Sequence, residues 1–217
     1  MLKNECEKHT TSATGGGTRT KYVTGIFEAS CLVSLGLVSN SSTNDVNSYG
    51  SGFGIVSTGK IWEEALSRAV DEFLGLGQGL EDAKHTGSNS NSNSNPTPRG
   101  RFYGCETTGL NASELHDLPV EEVRRKMMDA TRRLLRRGRT TTSGSALPQA
   151  SGGGGGNNTS NVKAICLGCA GMVGLESAVR EACIEELGSE EAGKSVAIVD
   201  GVKAGVGVLY GLVRCGF

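Results

Sequence analysis

The chain has 217 residues, 22 of them lysine or arginine and 23 aspartate or glutamate, for a net charge of −1. Such a balance supplies no overall field for nucleic acid or an anionic membrane, and no stretch approaches the roughly 20 apolar residues of a membrane span. Seven cysteines, an odd number scattered along the chain, suit a reducing compartment, and Met1-Leu2-Lys3-Asn4-Glu5 is too charged for a signal peptide, so a cytoplasmic location is expected.

In chain order, residues 21–27 and 53–57 read as strands, the second followed by a helix over 61–74. Residues 101–106 form a weaker strand candidate. Pro119 opens a helix in which Val120, Val123, Met127, Ala130 and Leu134 recur at helical spacing. Residues 162–167 read as a strand, and Leu175, Val179, Cys183 and Leu187 mark the apolar face of the helix after it. A last strand over 196–199 leads into a last helix over 202–213. Three stretches between these elements, 39–52, 85–100 and 139–160, are Ser-, Asn-, Thr- or Gly-rich and predict flexible surface inserts, the third with five consecutive glycines. Alternating strands and helices predict an α/β fold with parallel strands flanked by helices, its ligands at the carboxyl ends of the strands.

The segment Ala164-Ile165-Cys166-Leu167-Gly168-Cys169-Ala170-Gly171-Met172 carries the most chemistry. An apolar strand ends at small residues with Cys169 at its carboxyl end, before an amphipathic stretch. A thiol there lies near free backbone N–H groups and the positive end of a helix, both of which stabilise a thiolate. The bland alternative is a buried structural cysteine. Cys166 and Cys169 form a C-x-x-C pair, but no second close pair of ligands exists among three scattered histidines, His9, His85 and His116, so no metal is expected. The basic run Arg124-Arg125-Lys126, Arg132-Arg133 and Arg136-Arg137 reads as the solvated face of its helix, not a nucleic-acid surface. Trp62 and Met172 read first as packing residues, although Met172 borders the site.

Two segments echo each other. Val23-Thr24-Gly25-Ile26-Phe27 and Val199-Asp200-Gly201-Val202-Lys203 each bring an extended run to a glycine ahead of an apolar helix. A duplicated fold explains the echo. The offset from Cys169 to Gly201, applied before Gly25, then falls upstream of Met1, so the chain lacks a counterpart of its own cysteine motif.

The sequence resembles the Asp/Glu/hydantoin racemase family, in particular its fungal hydantoin-racemase-like branch. The resemblance rests on Gly25-Ile26-Phe27-Glu28-Ala29-Ser30, Phe53-Gly54-Ile55-Val56-Ser57-Thr58-Gly59-Lys60-Ile61-Trp62, Glu106-Thr107-Thr108-Gly109-Leu110-Asn111, Leu167-Gly168-Cys169-Ala170-Gly171-Met172 and Val199-Asp200-Gly201-Val202, in that order. It implies two pseudo-symmetric α/β lobes, no cofactor, and one cysteine from each lobe on opposite faces of a substrate's Cα. One thiolate removes the proton and the other thiol returns one. By that resemblance Cys169 is a catalytic thiol. Gly168, Ala170, Gly171 and Met172 shape the site, and Ser57 and Thr58 hydrogen-bond the substrate, with Thr107 and Thr108 weaker candidates.

The family's first cysteine has no match, for neither Cys31 nor Cys105 has the strand-end context of Cys169. The expected organisation is a first lobe surviving as residues 1–48 and 200–217 and a second lobe over 49–199. The first lobe would be incomplete through truncation or an internal start. Missing strands would leave a sheet edge and apolar surface exposed, to be covered by a partner chain such as a second copy. The expected function is racemisation of a small hydantoin or amino-acid derivative, with little or no two-base turnover expected of this chain because it has one identifiable thiol. The alternatives are a non-catalytic binding or regulatory protein and a one-thiol decarboxylase or isomerase.

Overall fold

The structure is a computed structural model that describes residues 21–38, 50–75, 101–139 and 160–216. Four strands, β1 (Gly52–Ser57), β2 (Phe102–Thr107), β3 (Val162–Leu167) and β4 (Ala197–Asp200), form one all-parallel sheet in the order β2-β1-β3-β4. The helices are α1 (Ile26–Val38), α2 (Ile61–Phe73), α3 (Glu114–Asp117), α4 (Val120–Arg137), α5 (Glu176–Leu187), α6 (Glu190–Ser195) and α7 (Gly201–Cys215). The expected α/β architecture with a parallel sheet flanked by helices is the one observed.

Central strand β1 is buried along its whole length, as a strand covered on both faces must be. Its residues alternate between two cores. Phe53 and Ile55 join Phe102, Cys105, Ala164, Cys166 and Val199 beneath α1, α2 and α7. Val56 joins Ile165 and Leu167 beneath α4 and α5, whose Val123, Met127, Leu134, Val179 and Cys183 are buried there. α4 comes close over β1 because Gly54 has no side chain; a Cβ there would lie 2.5 Å from Leu134 Cδ1. The apolar spacing that predicts α4 and α5 is the spacing of these buried positions.

The chain goes from β1 outward to β2 and then returns across β1 to β3, and the connecting helices change face with it: α2 on one side, α4 and α5 on the other. The carboxyl ends of β1 and β3 therefore bound the topological switch point, the place where open α/β sheets bind their ligands. Ser57 ends β1 there, and Gly168 directly follows the end of β3.

Several sequence expectations need correction. Residues 21–25 are not a strand; they run irregularly into α1, and no strand among the described residues offers them a ladder. The strand half of the echo at Gly25 fails with them. The helical half holds, since α1 and α7 start side by side, with a Cβ on Gly201 only 3.1 Å from Ser30 Oγ. Both helices, assigned above to a first lobe, pack on the same sheet as the rest. Val120 and Trp62, taken as core residues, are 69% and 49% exposed. Helices α3 and α6 were not anticipated. Of the inserts, 85–100 and nearly all of 39–52 and 139–160 lie outside the described residues, and Gly52 belongs to β1.

The basic run on α4 is more than a solvated face. Arg124, Arg132 and Arg136 pair with Glu181, Glu185 and Glu186 of α5, and Arg133 and Arg137 pair with the buried Glu106 of β2. These arginines are committed to carboxylates of the same fold. No helix among the described residues is long and apolar enough to cross a membrane.

Candidate functional site

The end of β3 is built around Gly168. Its N–H donates to Val56 O at 2.8 Å, extending the ladder past the strand. A Cβ on Gly168 would lie 2.9 Å from Ile55 Cγ2 and 3.0 Å from Ser57 Cβ and Oγ, so only glycine lets β3 come this close to the end of β1. Cys169, next along, is extended, with φ −140° and ψ 134°, and it opens the single 3₁₀ turn Ala170–Met172. The expected helix after the turn is α5, which begins at Glu176, so the 3₁₀ turn separates it from Cys169. The dipole beside Cys169 is thus that of one turn, and the stronger feature is the backbone. Met172 N–H bonds Cys169 O, whereas the N–H groups of Ala170 and Gly171 have no partner among the described residues.

Strand alternation sets which groups meet. Cys166 points into the α1 side of the sheet, where its sulfur lies 2.9 Å from Ser34 Oγ and 3.8 Å from Ser30 O. Cys169 packs against the α4–α5 core on the other side. The C-x-x-C pair is therefore divided by the sheet, and both thiols are free. Ser57 follows the alternation of Phe53 and Ile55, which brings it to Gly168 rather than to Cys169. Its hydroxyl and that of Thr58 make no hydrogen bond to a described residue, although both residues are buried. Thr107 and Thr108 are engaged within the fold. Thr107 donates to Glu63 Oε1 at 2.6 Å, and Thr108 ties the ends of β1 and β2 through Thr58 O and its own N–H to Ser57 O.

Met172, named above among the substrate-binding residues, is fully buried in the core and supports the turn from below. Ala170 is exposed, and Gly168, Cys169 and Gly171 are half-buried, so the rim of the turn is open to solvent. Beneath Gly168 on the α1 side is a cavity of about 40 Å³ walled by Ile26, Ser30, Cys31, Ile55 and Cys166, which is no larger than a water or two require. A wider groove of about 470 Å³ runs between α1 and α7, away from Cys169.

The thiols differ sharply. Burial pushes Cys31, Cys105 and Cys166 up to about 12 and Cys183 up to about 11, leaving them neutral near pH 7. Cys215 is exposed at the far end of α7, about 20 Å along that helix from the carboxyl edge of the sheet. Cys169 alone among the described cysteines combines exposure with a strand end at the switch point. No group of three or more potential metal ligands occurs among the described residues.

One neighbour escaped the sequence reading. A Cβ on Gly171 would lie 3.4 Å from Leu115 Cδ1, 3.6 Å from Cys169 Sγ and 3.7 Å from His116 Nε2, so α3 presents a histidine to the side-chain-free space beside the thiol. The signal for α3 lay in Asn111-Ala112-Ser113-Glu114, a capping-box spacing whose Glu114 carboxylate accepts the Asn111 N–H at 2.6 Å. No protein-family model, curated protein or solved structure matches this chain.

Proposed function

We propose that this protein transfers a proton at the Cα of a hydantoin or related amino-acid derivative, without a cofactor, and that Cys169 is the thiol that moves it. The observation that carries the reading is the placement of Cys169. It stands at the carboxyl end of β3, at the switch point, directly before two N–H groups that have no partner among the described residues. A thiolate there can take a proton from a carbon flanked by a carbonyl. The charge that develops on the carbonyl oxygen is met by the Ala170 and Gly171 N–H groups, acting as an oxyanion hole acts on an enolate. Racemisation is the reaction the sequence resemblance favours.

A second reading keeps the site and changes the outcome. The other described thiols are buried and neutral or remote, so a one-thiol enzyme, a decarboxylase or isomerase, would protonate from a single face and yield one enantiomer.

Incubation of enantiopure 5-isopropylhydantoin with the full chain in deuterium oxide tests both. Cys169-dependent exchange at Cα with loss of optical purity is expected, and Cys169→Ala should lower the rate by about 10²–10⁴-fold, the range of one acid–base group. Exchange with retained configuration selects the one-thiol reading. No exchange above the Cys169→Ala background overturns the function.

A further inference from the structure

Racemisation needs a proton donor besides the base, and the described residues place no second thiol at the site. We infer that His116 is the second proton-transfer group, an inference that rests on the reaction assigned above.

The geometry converges on Gly171. Cys169 Sγ and His116 Nε2 lie 3.6 and 3.7 Å from the position its Cβ would occupy, with Leu115 Cδ1 at 3.4 Å, so glycine leaves room for a carbon atom in contact with both groups. No hydrogen bond joins the two groups, so the gap is not closed by the side chains themselves. Leu115 makes this placement definite. It is buried in the same core cluster as Met172, under the Cys169 turn, and it anchors α3 so that the adjacent His116 stands exposed at the rim. Hydrogen bonds from Leu118 N–H to Glu114 O and from His116 N–H to Ser113 O hold the short helix, and Pro119 starts the next element at once. A histidine in this position suits the task chemically, since one imidazole nitrogen can accept a proton and give it back.

The step balances without a redox partner. The Cys169 thiolate takes the Cα proton, forming S–H and leaving the electron pair in an enolate. His116, as imidazolium, returns its Nε2 proton to Cα while the enolate collapses. Transfer of the thiol proton to the neutral imidazole through solvent restores both groups, and the reverse direction exchanges their roles.

Two measurements on wild type and His116→Gln test this; the residue is exposed, and the variant keeps a polar side chain of similar reach. With 5-isopropylhydantoin in deuterium oxide, His116→Gln should lose enantiomer interconversion by about 10²-fold or more while retaining Cys169-dependent exchange. Interconversion at the wild-type rate overturns the inference. The second measurement needs no substrate: alkylation of Cys169 by iodoacetamide at neutral pH, read by mass spectrometry, should be several-fold slower in His116→Gln, because a neighbouring imidazole can take the thiol proton as the sulfur reacts. Equal alkylation rates remove the pairing on which the inference stands. If wild type shows no exchange but the alkylation rates differ, the pairing holds and the assigned reaction falls.

Discussion

Gly168 and Gly171 flank Cys169 for different steric reasons. At Gly168 a Cβ would lie 2.9 Å from Ile55 Cγ2 and 3.0 Å from Ser57 Cβ and Oγ, all on the central strand, so these side chains would have to shift. Gly168→Ala should therefore destabilise the fold by about 1–3 kcal/mol through overpacking, seen as a lower urea midpoint with an unchanged slope. At Gly171 the neighbours are at ordinary contact distance, and glycine leaves a gap instead of relieving a clash. At this scale the sequence was partly legible. A cysteine following a strand and a glycine could be singled out from residue order alone. His116 could not, because its approach depends on Leu115 finding a place in the core beside Met172, more than fifty residues away in the chain. Ser57 could be chosen by motif, but the side of the sheet it faces could not, since that follows from register.

Helix α4 shows an element whose pattern and packing agree. Val123, Met127, Ala130 and Leu134 recur at helical spacing, and all are essentially buried. Leu134 fills the hollow over Gly54, so Leu134→Ala should cost about 2–5 kcal/mol in a urea titration, because the neighbouring β1 backbone cannot move in to close the cavity. The opposite face of α4 is tied to α5 and β2 by ion pairs, an arrangement no reading of α4 by itself predicts. Helix α7 shows the contrary case. Its sequence is as apolar as a buried helix, yet Val206, Tyr210 and Val213 are more than 60% exposed, while Gly201, Ala204 and Gly205 are buried and Val208 packs against the core from partial exposure. A helix with glycine and valine on several sides has no unique apolar face, so periodicity could locate it and not orient it.

For the whole molecule, the buried thiols set the response to alkali. Cys31, Cys105 and Cys166 ionise at about 12 and Cys183 at about 11 in the fold, against 9.0 for a free thiol, so the unfolded chain loses these protons first. The stability they support is fully present below pH 9 and is lost as the pH rises through the folded values, because the native state binds more protons over that interval. The urea midpoint should fall steeply between about pH 9 and pH 11, and less steeply in Cys166→Ala; an equal fall in both would contradict the linkage. The two edges of the sheet, β2 and β4, and the exposed stripe on α7 are likewise properties of the assembled molecule.

The sequence by itself determined the local elements. Strands β1 and β3 and helices α2, α4 and α5 follow from runs and periodicities that a few neighbouring residues express, and Cys169 at a strand end follows with them. The segment 21–25 shows the limit: its β-branched residues favour extension, but a strand exists only where a partner offers a ladder. Only the tertiary structure decided the strand order that makes the ends of β1 and β3 a switch point. It alone divided Cys166 from Cys169 across the sheet and delivered His116 to the space beside the thiol. Each of these depends on which side chains share one core, and that is settled by packing between segments far apart in the chain.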